Sequence, residues 1–272
     1  MNEVKHLSAE LNVDMAIANL LVQRGIKTFN DARSFFRPKL TDLLDPFLMK
    51  NMDKAVERLQ KAIENDERVM IYGDYDVDGT TSVALMYSFL RSRITNIEYY
   101  IPDRYMEGYG VSKTGIEYAH QHQISLVIVL DCGIKAVERI AYAKELGVDF
   151  IVCDHHNPDD EIPDAVAVLD PKQPGCNYPY KELSGCGVGF KFLQAYCQKN
   201  NIPEETIYEL LDLVVVSIAS DIVPITGENR ILAFYGLQKL NNNPSTGLKR
   251  IIEIAKIDGE IKINDIVFKI GP

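Results

Sequence analysis

The sequence predicts an α/β fold: a doubly wound, mainly parallel five-stranded sheet with helices on both faces, preceded by a helical N-terminal segment. Two observations predict it. From Arg68 onward, five short apolar runs alternate with helical stretches, whereas before about Asp66 the apolar residues recur at three-to-four spacing. Runs that are apolar throughout are typical of parallel strands covered on both faces. The predicted domains are therefore residues 1–66, a helical segment, and residues 67–272, the α/β domain.

The individual elements follow from local patterns. In the N-terminal segment, Leu11, Met15 and Ala18 share one helical face, and Ala55, Leu59 and Ile63 share another. The predicted strands are residues 69–72, 97–101, 126–130, 150–153 and 166–169. Residues 187–199 and 205–220 are predicted as two further helices, the second ended by the proline at position 224.

Composition excludes several classes of protein. The chain has 272 residues, 46% of them hydrophobic, and its formal charge is -10, which argues against a basic surface that coats nucleic acid. The negative charge is compatible with a local basic groove, or with an acidic cluster that is neutralised by metal. The five cysteines contain no CxxC pair, which favours a reducing cytoplasm. The polar N-terminus and short apolar stretches predict no secretion signal and no membrane anchor.

Acidic residues follow most of the predicted strands. A single aspartate between a strand and a helix is usually a helix cap, and that interpretation is open for each one taken alone. The carboxyl ends of parallel strands form one rim, however, and several carboxylates there repel one another unless cations lie among them. The residues expected on this rim are Asp76, Asp78, Asp131, Asp154, His155 and His156.

Carboxylates with a minority of imidazoles and no thiolate suit Mn²⁺ or Mg²⁺. A carboxylate can bridge two ions about 3.5 to 4 Å apart, an arrangement that activates water and stabilises an in-line phosphoryl displacement. Asp131 follows a middle strand and is the expected bridge. The predicted chemistry is metal-assisted hydrolysis of a phosphate ester.

Two loops are candidates for substrate binding. Tyr109 lies between two glycines in a loop that also contains Arg104, so the ring could stack on a base and the guanidinium could meet a phosphate. A flexible surface loop explains the glycines equally well. Gly187 and Gly189 lie in a glycine cluster that opens a helix, where backbone amides could hold a phosphate, and a plain turn is an equal alternative.

Five motifs in order resemble the RecJ exonucleases of the DHH phosphoesterase superfamily. They are residues 72–80 (YGDYDVDGT), 107–110 (EGYG), 130–134 (LDCGI), 154–156 (DHH) and 219–224 (ASDIVP). The resemblance implies a catalytic group of Asp131, His155 and His156. It implies that Asp74 and Asp76 hold one metal, that Asp78, His155 and Asp221 hold the second, and that Asp131 bridges them. It further implies that His156 faces the scissile phosphate and that Asp154 orients a histidine.

The resemblance also implies an activity: degradation of single-stranded DNA from the 5′ end to mononucleotides in recombination and repair, with two Mn²⁺ or Mg²⁺ ions. A helicase and a single-strand-binding protein are implied partners. Similar proteins continue into a second substrate-binding domain and an oligonucleotide-binding fold, so the chain is expected to stop before both. Two alternatives are a phosphodiesterase for short oligonucleotides or cyclic dinucleotides, and a non-catalytic nucleic-acid-binding relative.

Overall fold

The computed structural model describes residues 2–272, which divide into two compact units between Leu43 and Leu44. The first unit contains helices α1 (Asn2–Leu11), α2 (Met15–Gln23) and α3 (Phe29–Phe36) and a 3₁₀ turn (Leu40–Asp42). Leu7, Ala18 and Leu21 lie in its small core. Asp14 caps α2, and Thr28 forms a capping box with Asp31 at the start of α3.

The second unit contains the sheet. Its strands are β1 (Val69–Gly73), β2 (Ile97–Tyr100), β3 (Leu126–Leu130), β4 (Asp149–Cys153) and β5 (Ala167–Leu169). Its helices are α4 (Met52–Glu64), α5 (Val77–Leu90), α6 (Lys113–Gln121), α7 (Val137–Glu145), α8 (Gly185–Lys199), α9 (Glu205–Tyr208), α10 (Leu211–Ser220), α11 (Gly227–Asn242), α12 (Thr246–Ile254) and α13 (Ile263–Asp265). A 3₁₀ turn (Pro46–Leu48) precedes α4, and a π-helical turn (Ile266–Ile270) follows α13.

The predicted fold class is confirmed. All strand pairs are parallel, the order is β2-β1-β3-β4-β5, and helices cover both faces of the sheet. Helices α6 and α7 pack on one face, whereas α4, α5 and α8 pack on the other. Strands β1 and β3 are buried along their whole length, which explains why their sequences are apolar at every position.

The compact units do not separate at residues 66 and 67, where the sequence predicted the domain boundary. Helix α4 packs against α8 and β5, so it belongs to the unit that contains the sheet. An amphipathic helix looks the same in sequence whether it covers a sheet or other helices, because only its partner differs. Among residues 2–272, no helix is both long and apolar enough to cross a bilayer.

The strand order places a crevice at the carboxyl ends of β1 and β3. The chain leaves β1 towards β2 on one side, and β3, β4 and β5 follow on the other side. In open α/β sheets, ligands bind where the order reverses, because the two connecting segments diverge and leave a gap. The acidic segments that follow β1 and β3 therefore border this gap.

A buried ion pair holds helix α8 in place beside the sheet. Lys191 Nζ lies 3.0 Å from Glu228 Oε1 on α11 and donates to the Leu44 carbonyl at 2.6 Å. Glu228 also accepts hydrogen bonds from Tyr178 Oη and the Leu44 amide. With both charges paired and hydrogen-bonded, α8 is joined to α11 away from the strand ends.

Candidate active site

Three neighbouring strands present aspartates at the same level. Gly73 of β1 pairs with Leu130 of β3, which pairs with Cys153 of β4. Asp74, Asp131 and Asp154 follow these three residues directly. The register of the parallel sheet therefore brings together carboxylates that lie up to 80 positions apart in the chain.

His155 lies at the centre of the cluster. Its Nε2 is 3.2 Å from Asp131 Oδ1, 3.6 Å from Asp221 Oδ2 and 3.7 Å from Asp78 Oδ2. The three carboxylates come from the end of β3, the end of α10 and the first turn of α5. Two overlapping groups have the spacing that a metal ion requires, namely Asp131 with His155 and His156, and Asp78 with His155 and Asp221.

Several buried atoms of the cluster lack a hydrogen-bond partner within the described chain. These are both carboxylate oxygens of Asp74, both carboxylate oxygens of Asp131 and both ring nitrogens of His155. Asp74 and Asp131 are 0% and 1% exposed. A buried carboxylate without a donor is costly, and bound cations would supply the missing partners. Oxygen ligands with one or two imidazoles fit Mn²⁺ or Mg²⁺.

The carboxylates disfavour one another's charge. Burial raises the pKa of Asp131 to about 12, and the nearby charges of Asp78 and Asp76 add to the shift. Burial likewise raises the pKa of Asp221, again with a contribution from Asp78, and burial raises the pKa of Asp74. The acids can all be ionised together only if positive charge lies among them.

Asp131 is held in an unusual backbone conformation. Its φ is 61°, in the left-handed region that residues other than glycine, asparagine and aspartate seldom adopt. Helix α8 begins directly against it: a Cβ atom on Gly185 would lie 2.6 Å from Asp131 Oδ1. Only glycine at position 185 lets the helix approach this closely.

Asp78 has a structural role as well as a place in the cluster. Its Oδ2 accepts from the Gly185 amide at 2.7 Å, and its Oδ1 accepts from the Cys186 amide at 2.8 Å and from Ser217 Oγ at 2.7 Å. The carboxylate thus caps α8 and ties it to α5 and α10. Since Oδ2 also faces His155, the same side chain links the scaffold to the candidate metal position.

Asp76 caps a helix, as the simpler sequence interpretation allowed. Its Oδ1 accepts from the Gly79 amide at 2.9 Å at the start of α5. It also lines a cavity of about 280 Å³ together with Asp78 and Asp221. Val267, Gly271 and Pro272 also line that cavity, and the sequence did not indicate them as part of the site.

Asp154 belongs to neither candidate metal group and orients His156. Its Oδ1 lies 2.7 Å from His156 Nδ1, and its Oδ2 accepts from the Ile134 amide at 2.9 Å. Burial disfavours the charge on Asp154, but the hydrogen bond and charge of His156, together with the Ile134 and His156 amides, outweigh it, so the pKa of Asp154 is lowered. The same hydrogen bond raises the pKa of His156.

A row of aromatic and basic side chains leads out from the cluster. The Tyr109 hydroxyl lies 3.3 Å from His156 Nε2, and its ring meets the Tyr75 ring edge to face at 6.2 Å. The Arg104 guanidinium lies over the Tyr75 ring at 5.2 Å. The loop that contains Arg104 and Tyr109 therefore lies beside the acids. Tyr75 was missed in the sequence as a candidate contact because a tyrosine among aspartates carries no signal of its own.

Gly187 and Gly189 do not form an open phosphate cradle. Both are buried within α8, and the Gly187 amide donates to Ser184 Oγ at 3.1 Å. The two amides before it already donate to Asp78. The amides of residues 185–187 donate inside the protein, which favours the alternative of a turn that holds no phosphate, and Gly189 lets α8 pack closely on Leu130.

Comparison with known proteins identifies the family. A family model described as the DHH family, N-terminal domain, matches residues 68–218, more than half of the chain. The chain belongs to the DHH family. The matched region begins at β1 and includes the acids that follow β1, β3 and β4, whereas Asp221 lies just beyond it.

Similar sequences and solved structures include RecJ exonucleases. The chain is 42% identical, over its whole length, to the single-stranded-DNA-specific exonuclease RecJ of Bacillus subtilis, and it spans 34% of that protein. A crystal structure of exonuclease RecJ bound to manganese is 30% identical with a TM-score of 0.76, over 86% of this chain and 58% of the other. RecJ from Thermus thermophilus in complex with Mn²⁺ is 27% identical with a TM-score of 0.81, over all of this chain and 38% of the other.

Proposed function

We propose that this chain is the catalytic part of a metal-dependent exonuclease that cuts single-stranded DNA from the 5′ end and releases mononucleotides. The observation that carries the proposal is the buried cluster in which both carboxylate oxygens of Asp74 and Asp131 and both ring nitrogens of His155 have no hydrogen-bond partner within the described chain. The similarity to RecJ exonucleases supports the substrate and the reaction. The chain spans 34% of the Bacillus subtilis protein. Its exonuclease activity, its 5′-to-3′ polarity and its mononucleotide product are therefore proposed.

Two ions, Mn²⁺ or Mg²⁺, would be held by residues of the cluster. Asp74 and Asp76 are assigned to the first ion; Asp78, His155 and Asp221 are assigned to the second; and Asp131 is assigned to both. When bound, such ions lower the pKa of a coordinated water and neutralise charge on the phosphate. The protein supplies a rigid frame, since three strand ends and two helices hold these side chains.

His156 is assigned to the phosphate that is cut. Its Nδ1 is hydrogen-bonded to Asp154, and its Nε2 lies 3.3 Å from the Tyr109 hydroxyl. Because the bond with Asp154 raises its pKa, His156 is protonated over a wider pH range than a free histidine. A protonated imidazole at that place stabilises negative charge that develops on the phosphate oxygens.

Tyr109, Tyr75 and Arg104 are assigned to the DNA strand. Stacking of a base on an aromatic ring contributes about 1 to 3 kcal/mol and tolerates any sequence. Tyr109 is 57% exposed, so its ring is available to a base. Duplex DNA keeps its bases stacked inside the helix, so a row of rings at the cleft favours single strands.

The cellular setting is part of the same proposal. An exonuclease of this kind acts in the cytoplasm in DNA recombination and repair, and its substrate is made available by a helicase or covered by a single-strand-binding protein. We propose that this chain acts with a second substrate-binding domain and an oligonucleotide-binding fold, as the resemblance to RecJ exonucleases implies.

The proposal is tested with 5′-labelled and 3′-labelled single strands, duplex DNA and a dinucleotide in the presence of Mn²⁺. Labelled mononucleotide should appear at once from the 5′ label, on single strands, and not in chelator. Asp131→Asn should abolish the reaction. Asparagine is chosen because it tolerates the positive φ at this position.

The matched control is Asp159→Asn, an exposed aspartate paired with Lys135 away from the cluster, which should cut like the wild type. Retained cleavage by Asp131→Asn would contradict the proposal. Release from the 3′ label first would overturn the polarity. Cleavage of the dinucleotide alone would indicate a small-substrate phosphodiesterase.

A further inference from the structure

The loop at residues 101–112, here called the β2-α6 loop, is closed by one carboxylate. Glu107 Oε2 accepts from Tyr100 Oη at 2.9 Å and from Ser112 Oγ at 2.5 Å, and Glu107 Oε1 accepts from the Asp103 amide at 2.9 Å. Tyr100 ends strand β2, and Ser112 caps helix α6. The side chain in the middle of the loop therefore binds both of its ends.

The two limbs of the loop are each folded by other contacts. Asp103 Oδ1 accepts from the Tyr105 and Met106 amides in the first limb. In the second limb, the buried Tyr72 hydroxyl donates to the Gly110 carbonyl at 2.8 Å and accepts from the Ser112 amide at 3.1 Å. Glu107 is the residue whose side chain joins the first limb to the second.

The tip of the loop, residues 103–108, has few contacts apart from these bonds and the contact of Arg104 with Tyr75. Gly108 and Gly110 have φ values of 81° and 83°, and a Cβ atom on either would meet nothing within 4 Å. Tyr105 and Met106 are 91% and 85% exposed. A segment with two such glycines and exposed side chains samples many conformations unless specific hydrogen bonds hold it.

We propose that Glu107 is a positioning residue for strand binding: it holds the β2-α6 loop so that Tyr109 lies against His156 and Arg104 lies over Tyr75. The inference rests on the proposed function, since it concerns how that site meets its strand. Glu107 is only half-buried and lies outside the apolar core, so the fold does not need its charge for packing. Hydrogen bonds to a charged acceptor are strong enough to order the loop.

The test compares Glu107→Gln with Glu98→Gln. Glu98 lies on β2 and also accepts a tyrosine hydroxyl, from Tyr118 at 2.7 Å, but it has no bond to the β2-α6 loop. Amide hydrogen exchange of residues 101–112 and the kcat and KM for single-stranded DNA are measured for both. Glu107→Gln should speed exchange in the loop and raise KM about tenfold, with kcat changed less than about threefold. Glu98→Gln should change neither.

A second comparison asks whether Glu107 acts through Tyr109 and Arg104. In a background that carries both Tyr109→Ala and Arg104→Ala, adding Glu107→Gln should raise KM by less than about twofold, because both side chains to be positioned are already gone. A full tenfold effect in that background would overturn the proposal. So would unchanged exchange in residues 101–112, or faster exchange spread over β1 and β3, which indicates a general loss of stability.

Hydrogen exchange also separates this inference from the proposed function. If the wild type neither cuts nor binds single strands, the proposed function fails and the strand-binding role of Glu107 fails with it. Exchange then still shows whether Glu107 orders the loop. If the wild type cuts and Glu107→Gln has the KM of the wild type, only this inference fails.

Discussion

Asp131 is a candidate site residue that the fold holds in an unfavourable environment. It is buried, surrounded by like charges, and in a left-handed conformation. Each of these costs free energy in the protein without metal. A bound cation would offset this cost, since both oxygens of the buried carboxylate lack a hydrogen-bond partner within the described chain. Strain of this kind concentrates at sites of chemistry.

A stability prediction follows for Asp131→Asn without metal. Folding raises the pKa of Asp131 to about 12, far above the value of about 3.9 in an unfolded chain. A carboxyl group whose pKa is raised by folding lowers stability as the pH rises above the unfolded value. The wild type should therefore lose stability from about pH 5 to about pH 8, and Asp131→Asn should lose less. Thermal unfolding in chelator at both pH values measures this.

Mn²⁺ should favour the wild type over Asp131→Asn in thermal stability. The ion binds the folded wild type and should raise its melting temperature, whereas Asp131→Asn should show a much smaller rise. Equal stabilisation of both proteins by Mn²⁺ would show that Asp131 is not a ligand. Asp159→Asn serves as the control, because it removes one exposed carboxylate and leaves the cluster intact.

At the scale of elements, helix α8 decides the geometry of the site. Its first two amides bind Asp78 and its first residue touches Asp131, so its start is both a cap and a wall. The glycines there allow close approach. A glycine cluster that opens a helix allows a phosphate site, but the tertiary structure directs the amides of Gly185 and Cys186 at the Asp78 carboxylate.

Gly185→Ala and Gly187→Ala should therefore differ sharply. A Cβ at position 185 would lie 2.6 Å from Asp131 Oδ1, whereas one at position 187 would have its nearest neighbour at 3.4 Å, an ordinary contact. Gly185→Ala should weaken Mn²⁺ binding by about tenfold or more, since the carboxylate must move. Gly187→Ala should bind Mn²⁺ and cut DNA like the wild type. Titration calorimetry measures the Mn²⁺ affinity of both variants, and a cleavage assay measures their activity on single-stranded DNA. A loss of activity in Gly187→Ala would favour a phosphate site at the start of α8.

On the scale of the whole molecule, the charge of -10 shapes how a polyanion approaches. The acids cluster at the carboxyl ends of the β-strands. Under the proposed function, a DNA strand enters at the same place. Without cations this rim repels phosphate, and with two divalent cations it attracts it. The metal would then act in binding as well as in chemistry.

We therefore expect single-stranded DNA to bind about tenfold more weakly in chelator than in Mn²⁺ at the same ionic strength. Fluorescence anisotropy of a 3′-labelled strand with cleavage-resistant phosphorothioate linkages measures this. Asp131→Asn should show a smaller dependence on Mn²⁺. Equal affinity in chelator and in Mn²⁺ for the wild type would mean that the strand is held away from the acidic rim.

Much of this could be predicted from the chain. Buried parallel strands are apolar at every position, so β1, β3 and β4 were visible in the sequence within a residue or two. The acids stood out because each follows such a run. Asp221 lies at the end of a helix before a proline turn, and only the resemblance to RecJ exonucleases indicated it, since its position beside His155 depends on how α10 packs.

The sequence by itself determined the fold class and the set of acidic and imidazole side chains at the strand ends, because hydrophobic periodicity and strand-to-loop boundaries are local properties. The tertiary structure alone decided the rest. It assigned α4 to the sheet unit, directed the α8 amides at Asp78, placed Tyr75 beside Arg104, and brought Val267, Gly271 and Pro272 to the cavity beside Asp76. Each of these depends on which surfaces meet across the folded chain, and contacts between residues distant in sequence leave no periodic signal.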